Sequence, residues 1–311
     1  MKQKYAIGVD IGGSHITCAA VNLGTGEIIR NSLTERRVNN QAQAFEIISI
    51  WSESVSEVIK RIGFDDLLGI GFAMPGPFDY VNGVSYIKGV SKYENLYGFN
   101  IGDAIISSIE APDHFGVRFI NDATAFAVGE AWAGKAKKYR KSMSITLGTG
   151  LGSAFINDRI PVVDGPDVPQ NGCVYHLPYG ESIADNYFST RWFINSYREM
   201  TGKELQGVKE LASLAGHDRI VSGLFEKFGN DLASFLAPWL KKFGAELLVA
   251  GGNISNAFNI FGPVLEKRLK AEGWNGDVAV SELKEDAALL GSAFLFDEEF
   301  WKAVQHALPL M

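Results

Sequence analysis

The sequence predicts an α/β protein of two domains, and three observations support this prediction. The chain has 311 residues, which is enough for two domains that each bury a core. Short β-prone runs alternate with longer runs whose apolar residues recur at helical spacing. A strand, a glycine-rich turn and a second strand occur at 9–22, and the same order returns at 142–156. This repetition indicates a duplicated unit, with one glycine-rich hairpin in each half of the chain.

The composition is that of an ordinary globular protein and argues against several classes of partner. The formal net charge of -7 is unfavourable for a general nucleic-acid binder, whose phosphate contacts need a basic face. No apolar run approaches the length of a membrane span, and the N-terminus shows no apolar signal core. The two cysteines, Cys18 and Cys173, form no metal-binding or disulfide pattern. We therefore expect a cytoplasmic protein without nucleic-acid or membrane partners.

The first glycine-rich turn follows an apolar run that is closed by Asp10. Gly12, Gly13 and Ser14 come next and lead into a second strand. A helix would have to follow the glycines in a Rossmann or P-loop motif, so neither motif is present. One interpretation is a plain hairpin turn. The carboxylate before the glycines favours another, in which backbone amides and Ser14 approach a polyphosphate and Asp10 holds Mg²⁺ through water.

A helix is predicted to begin near Asn40 and to end at Gly63. Its core face is expected to contain Phe45, Ile48, Trp51, Val55, Val58, Ile59 and Ile62. The strand predicted over 67–74 then ends in the rigid turn Pro75-Gly76-Pro77. Such a turn can line a pocket, although rigid turns usually hold no ligand.

A loop is predicted over 80–100, and its aromatic residues permit two interpretations. Tyr93 and Tyr97 suit stacking on the face of a sugar, and they suit equally a role in covering the core. A short helix over 101–109 leads from this loop to the next strand.

The pair Asn121-Asp122 stands between a short strand at 117–120 and an Ala-rich helix that ends near Gly134. A polar residue at such a junction is ordinarily an N-cap, whose side chain accepts a hydrogen bond from a helix amide. The position of the pair near the middle of a two-domain chain, between the two glycine-rich hairpins, favours a catalytic role for Asp122. The two roles are compatible, because Asn121 can cap the helix.

The second glycine-rich turn, Gly148-Thr149-Gly150-Leu151-Gly152, again leads from strand to strand. A further strand at 246–250 ends in Gly251-Gly252-Asn253, and a helix follows at 256–271. Helix N-terminal amides favour anions and polar rings, so this junction is a third candidate binding turn. The alternative is that Ser255 simply caps the helix.

The remaining stretches are mostly helical. The run 161–179 is irregular and typical of a lid or substrate loop, and it contains His176, which alone is more often a surface residue. Helices are predicted over 181–200, 204–215, 217–243, 287–295 and 298–308, and a strand over 278–281. Pro238 predicts a kink or a split in the third of these helices.

Five motifs stand in one order along the chain: Asp-Ile-Gly-Gly-Ser, Met-Pro-Gly-Pro, Asn-Asp-Ala, Gly-Thr-Gly-Leu-Gly and Ala-Gly-Gly-Asn. This order resembles the ROK family (repressor, open reading frame, kinase) of the sugar-kinase/actin/Hsp70 superfamily, over residues 7–295. The resemblance implies two actin-like (ribonuclease H-like) α/β domains with an interdomain cleft that closes over ATP, Mg²⁺ and a sugar. The implied domains are 1–120, with the C-terminal helix 296–311 packing back on it, and 121–295. A homodimer is also suggested by the resemblance.

The resemblance assigns roles to individual residues. The implied ATP-binding residues are Asp10, Gly12, Gly13, Ser14, Gly148, Thr149, Gly150, Gly152, Gly251, Gly252 and Asn253. The implied sugar-binding residues are Asn121, Pro75, Gly76, His176, Asp185 and Glu181. Asp122 would be the general base that accepts the proton of the sugar hydroxyl, and Asp10 would hold Mg²⁺ through water.

The implied sugar-binding residues depart from the family pattern. His176 matches, but Cys173 stands where bacterial members carry a sugar-binding glutamate. The zinc-binding cysteines of these members are absent, so we expect no structural zinc. Asp185 stands where a second glutamate would be, with Glu181 as the alternative. Loss of a carboxylate that holds a sugar hydroxyl weakens the assignment to glucose, since such contacts carry much of the discrimination between sugars.

The resemblance thus implies a glucokinase-like enzyme that phosphorylates a hydroxyl of a hexose or an N-acetylhexosamine with ATP as the phosphoryl donor. The alternative is a sugar or nucleotide sensor or regulator of the same family without catalytic turnover. A DNA-binding helix-turn-helix is not expected, because only a few residues precede the first strand. Retention of both Asp10 and Asp122 favours catalysis, since a pure binder would need neither.

Overall fold

The structure, a computed structural model, describes residues 5–89 and 92–311. These residues form two compact units. Unit 1 contains the described residues up to Gly134 and those from Glu285 to Met311, and unit 2 contains Lys135–Lys284. The predicted first domain also includes residues 1–4, and the predicted loop 80–100 includes residues 90 and 91; these positions lie outside the described residues.

Unit 1 is built on a mixed sheet. Its strands are β1 (Tyr5–Ile11), β2 (His15–Asn22), β3 (Glu27–Ile28), β4 (Thr34–Arg37), β5 (Leu67–Met74), β6 (Phe78–Asp79), β7 (Val84–Ser85) and β8 (Gly116–Asn121). The helices of this first segment are α1 (Ala44–Ile62), α2 (Ile101–Ser108) and α3 (Asp122–Ala133). The strand order of the main sheet is β3-β2-β1-β5-β8, and β4 also pairs with β2. Because β1, β5 and β8 are parallel, their carboxyl ends meet at one edge of the sheet.

Unit 2 repeats this plan. Its strands are β9 (Lys141–Leu147), β10 (Leu151–Asn157), β11 (Ile160–Val162), β12 (Pro178–Tyr179), β13 (Ser182–Ile183), β14 (Leu247–Gly251) and β15 (Asp277–Val280). Its helices are α4 (Ala184–Tyr187), α5 (Thr190–Thr201), α6 (Val208–Leu214), α7 (Arg219–Phe243) and α8 (Phe258–Ala271). The order β11-β10-β9-β14-β15 again places an antiparallel glycine-rich hairpin beside two parallel strands. The predicted duplication of a glycine-rich hairpin is therefore present in the structure.

The chain then returns to unit 1 with α9 (Asp286–Ala293) and α10 (Glu298–Val304). Helix α9 packs on α3 so closely that a Cβ atom at Gly129 or Gly291 would overlap a carbonyl oxygen of the other helix. This packing places α3 and α9 in one unit, so the division of the chain differs from the predicted boundaries at 120 and 295. The last helix also lies in unit 1, where Phe300 packs edge-on against Trp132.

Each unit has its own apolar core. In unit 1 the apolar face of α1 covers the sheet, with Trp51 fully buried among residues of β1, β2 and β5. In unit 2 the aromatic rings of Phe193, Phe225 and Phe228 pack together between α5 and α7. Among the described residues, none of the helices combines the length and the apolar character needed to cross a membrane.

The structure differs from several local predictions. The helix predicted over 181–200 is broken, because the chain leaves helical geometry at Phe188 and Ser189, which are both buried. Of the kink or split predicted at Pro238, the split does not occur, because helix α7 continues through this residue. Phe45 is not a core residue, since it lies in the first turn of α1 and 71% of its surface is exposed.

Candidate active site

The carboxyl edge of the unit 1 sheet brings Asp10 and the Asn121-Asp122 pair to one end of the sheet. Asp10 pairs with Ala73 of β5, and Ala73 pairs with Ile120 of β8, so Asp10 and Asn121 lie at the ends of strands on either side of β5. Asp10 lies one residue before the end of β1, Asn121 is the last residue of β8, and Asp122 is the first residue of α3. The structure therefore gathers these three predicted site residues in unit 1.

The Asn121 side chain caps α3. Its Oδ1 accepts a hydrogen bond from the Thr124 amide at 3.1 Å, which is the predicted capping role. Its Nδ2 donates to the Asp122 Oδ1 at 3.1 Å, and the Ala123 amide donates to the same oxygen at 2.8 Å. Because Asn121 caps the helix, the Asp122 carboxylate is not needed as the cap. It is held at the helix N-terminus by these hydrogen bonds.

The pKa values of Asp10 and Asp122 are both raised above their ordinary value. The pKa of Asp10 is raised to about 7, first by burial and then by the negative charges of Asp122 and Glu285. Burial also raises the pKa of Asp122, while the positive charge of Lys92 and hydrogen bonds from Ala123 and Asn121 lower it. Titratable groups perturbed in this way concentrate at functional sites. Lys92 carries no motif, so sequence reasoning missed it.

The Asp10 site fits a cation held through water. Ionised Asp10 is destabilised by burial and by two neighbouring carboxylates, so a bound divalent cation would stabilise it. In the described ranges, no three His, Cys, Asp or Glu side chains are close enough to ligate a metal ion together. Mg²⁺ keeps several waters and commonly uses only one or two carboxylates. Asp10 could supply the single carboxylate of such a site.

The first glycine-rich turn is held by a hydrogen bond within the hairpin and by two residues from outside it. The Gly12 amide donates to the His15 carbonyl at 3.0 Å, and the Tyr93 hydroxyl donates to the Gly12 carbonyl at 2.7 Å. The Asn40 side chain donates to the Gly13 carbonyl. A Cβ atom at Gly13 would meet nothing within 4 Å, so internal packing does not require glycine there. A ligand needs such open space in order to approach the backbone. Ser14 is exposed beside it.

Tyr93 and Tyr80 contact this edge of the sheet through hydrogen bonds that the sequence did not predict. Tyr93 is fully buried, so of the two interpretations considered for it the core interpretation applies. Tyr80 donates from its hydroxyl to the Met74 carbonyl at 3.1 Å and accepts from Asn121 Nδ2 at 3.3 Å. It thereby joins the end of β5 to Asn121. Beyond β5, Pro75 is buried and Gly76 is exposed, next to the same edge.

The second glycine-rich turn lies in unit 2, between β9 and β10. The Gly148 amide donates to the Gly150 carbonyl at 3.0 Å, which closes the turn, and Thr149 is exposed at its tip. A Cβ atom at Gly148 would meet nothing within 4 Å. This turn therefore also leaves space beside its backbone, as the first turn does at Gly13. Gly152 lies just beyond it in β10.

The third turn, Gly251-Gly252-Asn253, adjoins the second. Gly252 has a φ of +81°, and a Cβ atom there would lie 2.5 Å from the Leu147 carbonyl oxygen at the end of β9. Both the backbone conformation and this close approach require glycine. Ser255 donates from its hydroxyl to the Gly252 carbonyl at 2.6 Å and does not cap α8, so the capping alternative was wrong.

The predicted sugar-side residues also lie in unit 2. Cys173 Sγ is 3.7 Å from His176 Nδ1, and burial raises the pKa of the Cys173 thiol to about 11, so the thiol is neutral at neutral pH. The Asp185 amide donates to the Tyr175 carbonyl at 3.0 Å, which brings Asp185 to the same segment. Glu181 is exposed, and its amide interacts with the hydroxyl of Tyr187 rather than with this segment.

Comparison with known proteins gives a consistent result. The sequence model of the ROK family matches residues 6–299. Glucokinase of Thermotoga maritima is 26% identical, with 96% of this chain and 99% of that protein covered. N-acetyl-D-glucosamine kinase of Pectobacterium carotovorum is 25% identical, with coverage of 84% and 88%. The crystal structure of a ROK hexokinase from Thermus thermophilus superposes with a TM-score of 0.78 at 20% identity, over 96% of this chain and 99% of that one. The predicted actin-like α/β fold class is confirmed.

Proposed function

The chain belongs to the ROK family and is a sugar kinase, and we propose that it transfers the γ-phosphoryl group of ATP to a hydroxyl of a hexose or an N-acetylhexosamine. The observation that carries the proposal is the Asp10 and Asp122 pair, two half-buried carboxyls with raised pKa values at one sheet edge. The relatives named glucokinase and N-acetyl-D-glucosamine kinase support these two classes of acceptor.

Asp122 is assigned as the general base. As the sugar oxygen attacks the γ-phosphorus, its O–H bond breaks and the proton passes to the Asp122 carboxylate. The bond from phosphorus to the bridging oxygen breaks at the same time, and ADP leaves. A carboxyl whose pKa is raised above its ordinary value is a stronger base than an ordinary exposed aspartate. Asn121 orients this carboxylate by donating to Oδ1 at 3.1 Å.

The phosphate-binding residues are assigned to three turns. In unit 1 these are Gly12, Gly13 and Ser14, with Asp10 holding Mg²⁺ through water. In unit 2 they are the turn from Gly148 to Gly152 and the turn from Gly251 to Asn253. The open space at Gly13 and Gly148 supports the assignment, because amide groups there are accessible to phosphate oxygens. Bound Mg²⁺ supplies positive charge that offsets the charge of the phosphates.

The sugar-side assignment keeps His176, Asp185, Pro75, Gly76 and Asn121 as candidate ligands. A neutral thiol at Cys173 cannot accept the strong, charge-assisted hydrogen bonds that a carboxylate would offer a sugar hydroxyl. This substitution is the observation behind the alternative function, a sugar or nucleotide sensor without turnover. The two functions differ in whether any sugar stimulates ADP formation.

The deciding experiment measures ADP formation from ATP and Mg²⁺ over a panel of hexoses and N-acetylhexosamines. We expect at least one sugar to stimulate turnover, and Asp122→Asn to lower kcat by roughly 10²- to 10⁴-fold with ADP binding retained. Asp113→Asn is the matched control, because Asp113 is an exposed loop carboxylate, and it should keep the wild-type rate. A protein that binds ATP but responds to no sugar would support the sensor. Full activity of Asp122→Asn would refute the assignment of the base.

A further inference from the structure

The Asp185 carboxylate is bound to the second glycine-rich turn. Its Oδ1 accepts a hydrogen bond from the Leu151 amide at 2.7 Å, at the point where the turn enters β10. Its Oδ2 accepts from the Arg191 guanidinium at 2.8 Å. A Cβ atom at Gly150 would overlap Oδ1, so the carboxylate lies against the turn where only glycine leaves room for it. Both oxygens of Asp185 therefore have partners within unit 2, and one partner belongs to the candidate phosphate-binding turn.

The segment from Asp185 to Thr190 contacts this turn at both ends. The Thr190 amide donates to the Gly148 carbonyl at 2.8 Å, and the Asp185 carboxylate accepts from Leu151 on the other side. This double attachment explains why the predicted helix over 181–200 is broken into α4 and α5. Thr190, the first residue of α5, lies next to Gly148 and donates to its carbonyl. Asp185 of α4 lies on the other side of the turn and accepts from the Leu151 amide.

The same residue contacts the candidate sugar-side segment. The Asp185 amide donates to the Tyr175 carbonyl at 3.0 Å, and Tyr175 lies between Cys173 and His176 in the sequence. One residue thus joins the backbone beside the sugar-side candidates to the backbone of the glycine-rich turn. A change in the conformation of the Cys173–His176 segment would move Asp185, and with it the acceptor of the Leu151 amide.

We propose that Asp185 is a positioning residue that fixes the Gly148–Gly152 turn for the phosphates of the nucleotide. It does so through Leu151, with Arg191 holding the second carboxylate oxygen, and it links this turn to the Cys173–His176 segment. The inference rests on the proposed function, because it assigns the turn to a nucleotide. It differs from a role for Asp185 as a sugar ligand only, and the two roles predict effects on different substrates.

The test measures ADP binding by calorimetry in the absence of any sugar, followed by KM values for ATP and for the best sugar. Asp185→Ala removes both hydrogen bonds and should weaken ADP binding by about 10- to 100-fold, the loss expected for a charge-assisted hydrogen bond. Asp185→Asn keeps an oxygen that can accept from Leu151 and should recover most of the ADP affinity. Arg191→Ala should give a smaller loss than Asp185→Ala. Asn186→Ala is the control, since Asn186 is exposed on the same short helix and bonds only to Ser182 in the described structure.

A second measurement tests the contact with the turn directly. Gly150→Ala would displace the carboxylate, so the effects of Gly150→Ala and Asp185→Ala on ADP affinity should be clearly less than additive in the double variant. Additive effects would overturn the proposal. So would unchanged ADP affinity of Asp185→Ala together with a raised KM for sugar, which is the result expected of a sugar ligand.

Failure of this inference is distinguishable from failure of the proposed function. If wild-type protein turns over a sugar while Asp185→Ala binds ADP normally, the kinase assignment stands and the positioning role is wrong. If no sugar supports turnover but Asp185→Ala weakens ADP binding, the positioning role stands and the kinase assignment is wrong. Thermal unfolding and circular dichroism of each variant show whether the fold is retained.

Discussion

Asp10 is held where its ionised form is unfavourable, and this has a consequence for stability. Its pKa is about 7 in the folded protein, against an ordinary value of 3.8, because it is buried beside Asp122 and Glu285. Between these two values the folded state binds more protons than the unfolded state. Folding stability must therefore decrease as the pH rises through this window, and the full penalty is present above about 7.

We predict that Asp10→Asn stabilises the metal-free protein at pH 8 while it abolishes activity. The asparagine does not ionise, so the penalty disappears, and its upper value is about 4 kcal/mol for the difference between 3.8 and about 7. Thermal unfolding in the presence of a chelator should show a higher midpoint for the variant at pH 8 and little difference at pH 4. An equal difference at both pH values would contradict the electrostatic explanation.

Tyr93 provides a second test at the level of one atom. Its buried hydroxyl donates to the Gly12 carbonyl at 2.7 Å, so Tyr93→Phe frees the first glycine-rich turn while leaving the ring in the core. We expect the KM for ATP to rise by roughly 2- to 10-fold, the value of one neutral hydrogen bond, with only a small change in melting temperature. Tyr97→Phe is the matched control, because 57% of Tyr97 is exposed. Equal effects of the two variants would show that the Tyr93 hydroxyl does not position the turn.

The residues of the site divide into those that the sequence could indicate and those that it could not. Asp10 and Asn121 lie at or next to the end of a strand, and Asp122 follows Asn121 directly. The position of a strand end can be predicted from the apolar run before it. Tyr93 and Tyr80 contact the site through single hydroxyl groups, across chain separations that no local pattern reports. Side-chain contacts of this kind require the tertiary fold.

At the level of elements, the strands and glycine-rich hairpins could be predicted well because their signals are local. The predicted strand 67–74 agrees with β5 at both ends. The predicted helix over 181–200 failed because its break depends on the Thr190 to Gly148 hydrogen bond, which joins residues of two different elements. The apolar residues of 181–200 keep helical spacing throughout, although tertiary contacts hold Phe188 and Ser189 in a non-helical conformation.

The crossing of α3 and α9 gives a prediction for this level. Gly291→Ala would place a Cβ atom onto the Ala125 carbonyl, and Gly129→Ala would place one onto that of Ala287. We expect either variant to destabilise unit 1 by about 1–3 kcal/mol, the usual cost of overpacking a core. Gly223→Ala in α7 is the control, since a Cβ there meets nothing within 4 Å, and alanine should raise helix stability slightly. Melting temperatures that fall equally in all three variants would rule out the packing explanation.

At the level of the whole molecule, the chain order of the two units could not be read from the sequence alone. The five motifs locate both halves, but they do not show that α9 returns to unit 1. The reason lies in the backbone of β1 and β5, where a Cβ atom at Gly8 or Gly71 would overlap a carbonyl oxygen of α9. The Ser292 side chain also interacts with the Val9 amide at 3.2 Å. Helix α9 is thus part of the unit 1 core, although more than a hundred residues separate it from α3.

This chain order predicts different behaviour for two fragments. The fragment 135–284 contains all strands and helices of unit 2 and its apolar core, so it should fold and unfold cooperatively by itself. The fragment 1–134 lacks α9, so the surfaces of β1 and α3 that α9 covers become exposed to solvent. This fragment should remain unfolded or aggregate. Joining 285–311 to it through a flexible linker should restore a folded unit. Circular dichroism and thermal unfolding distinguish these outcomes. A folded, cooperative fragment 1–134 without 285–311 would show that α9 is dispensable for unit 1, because its close packing on β1, β5 and α3 would then contribute little to stability.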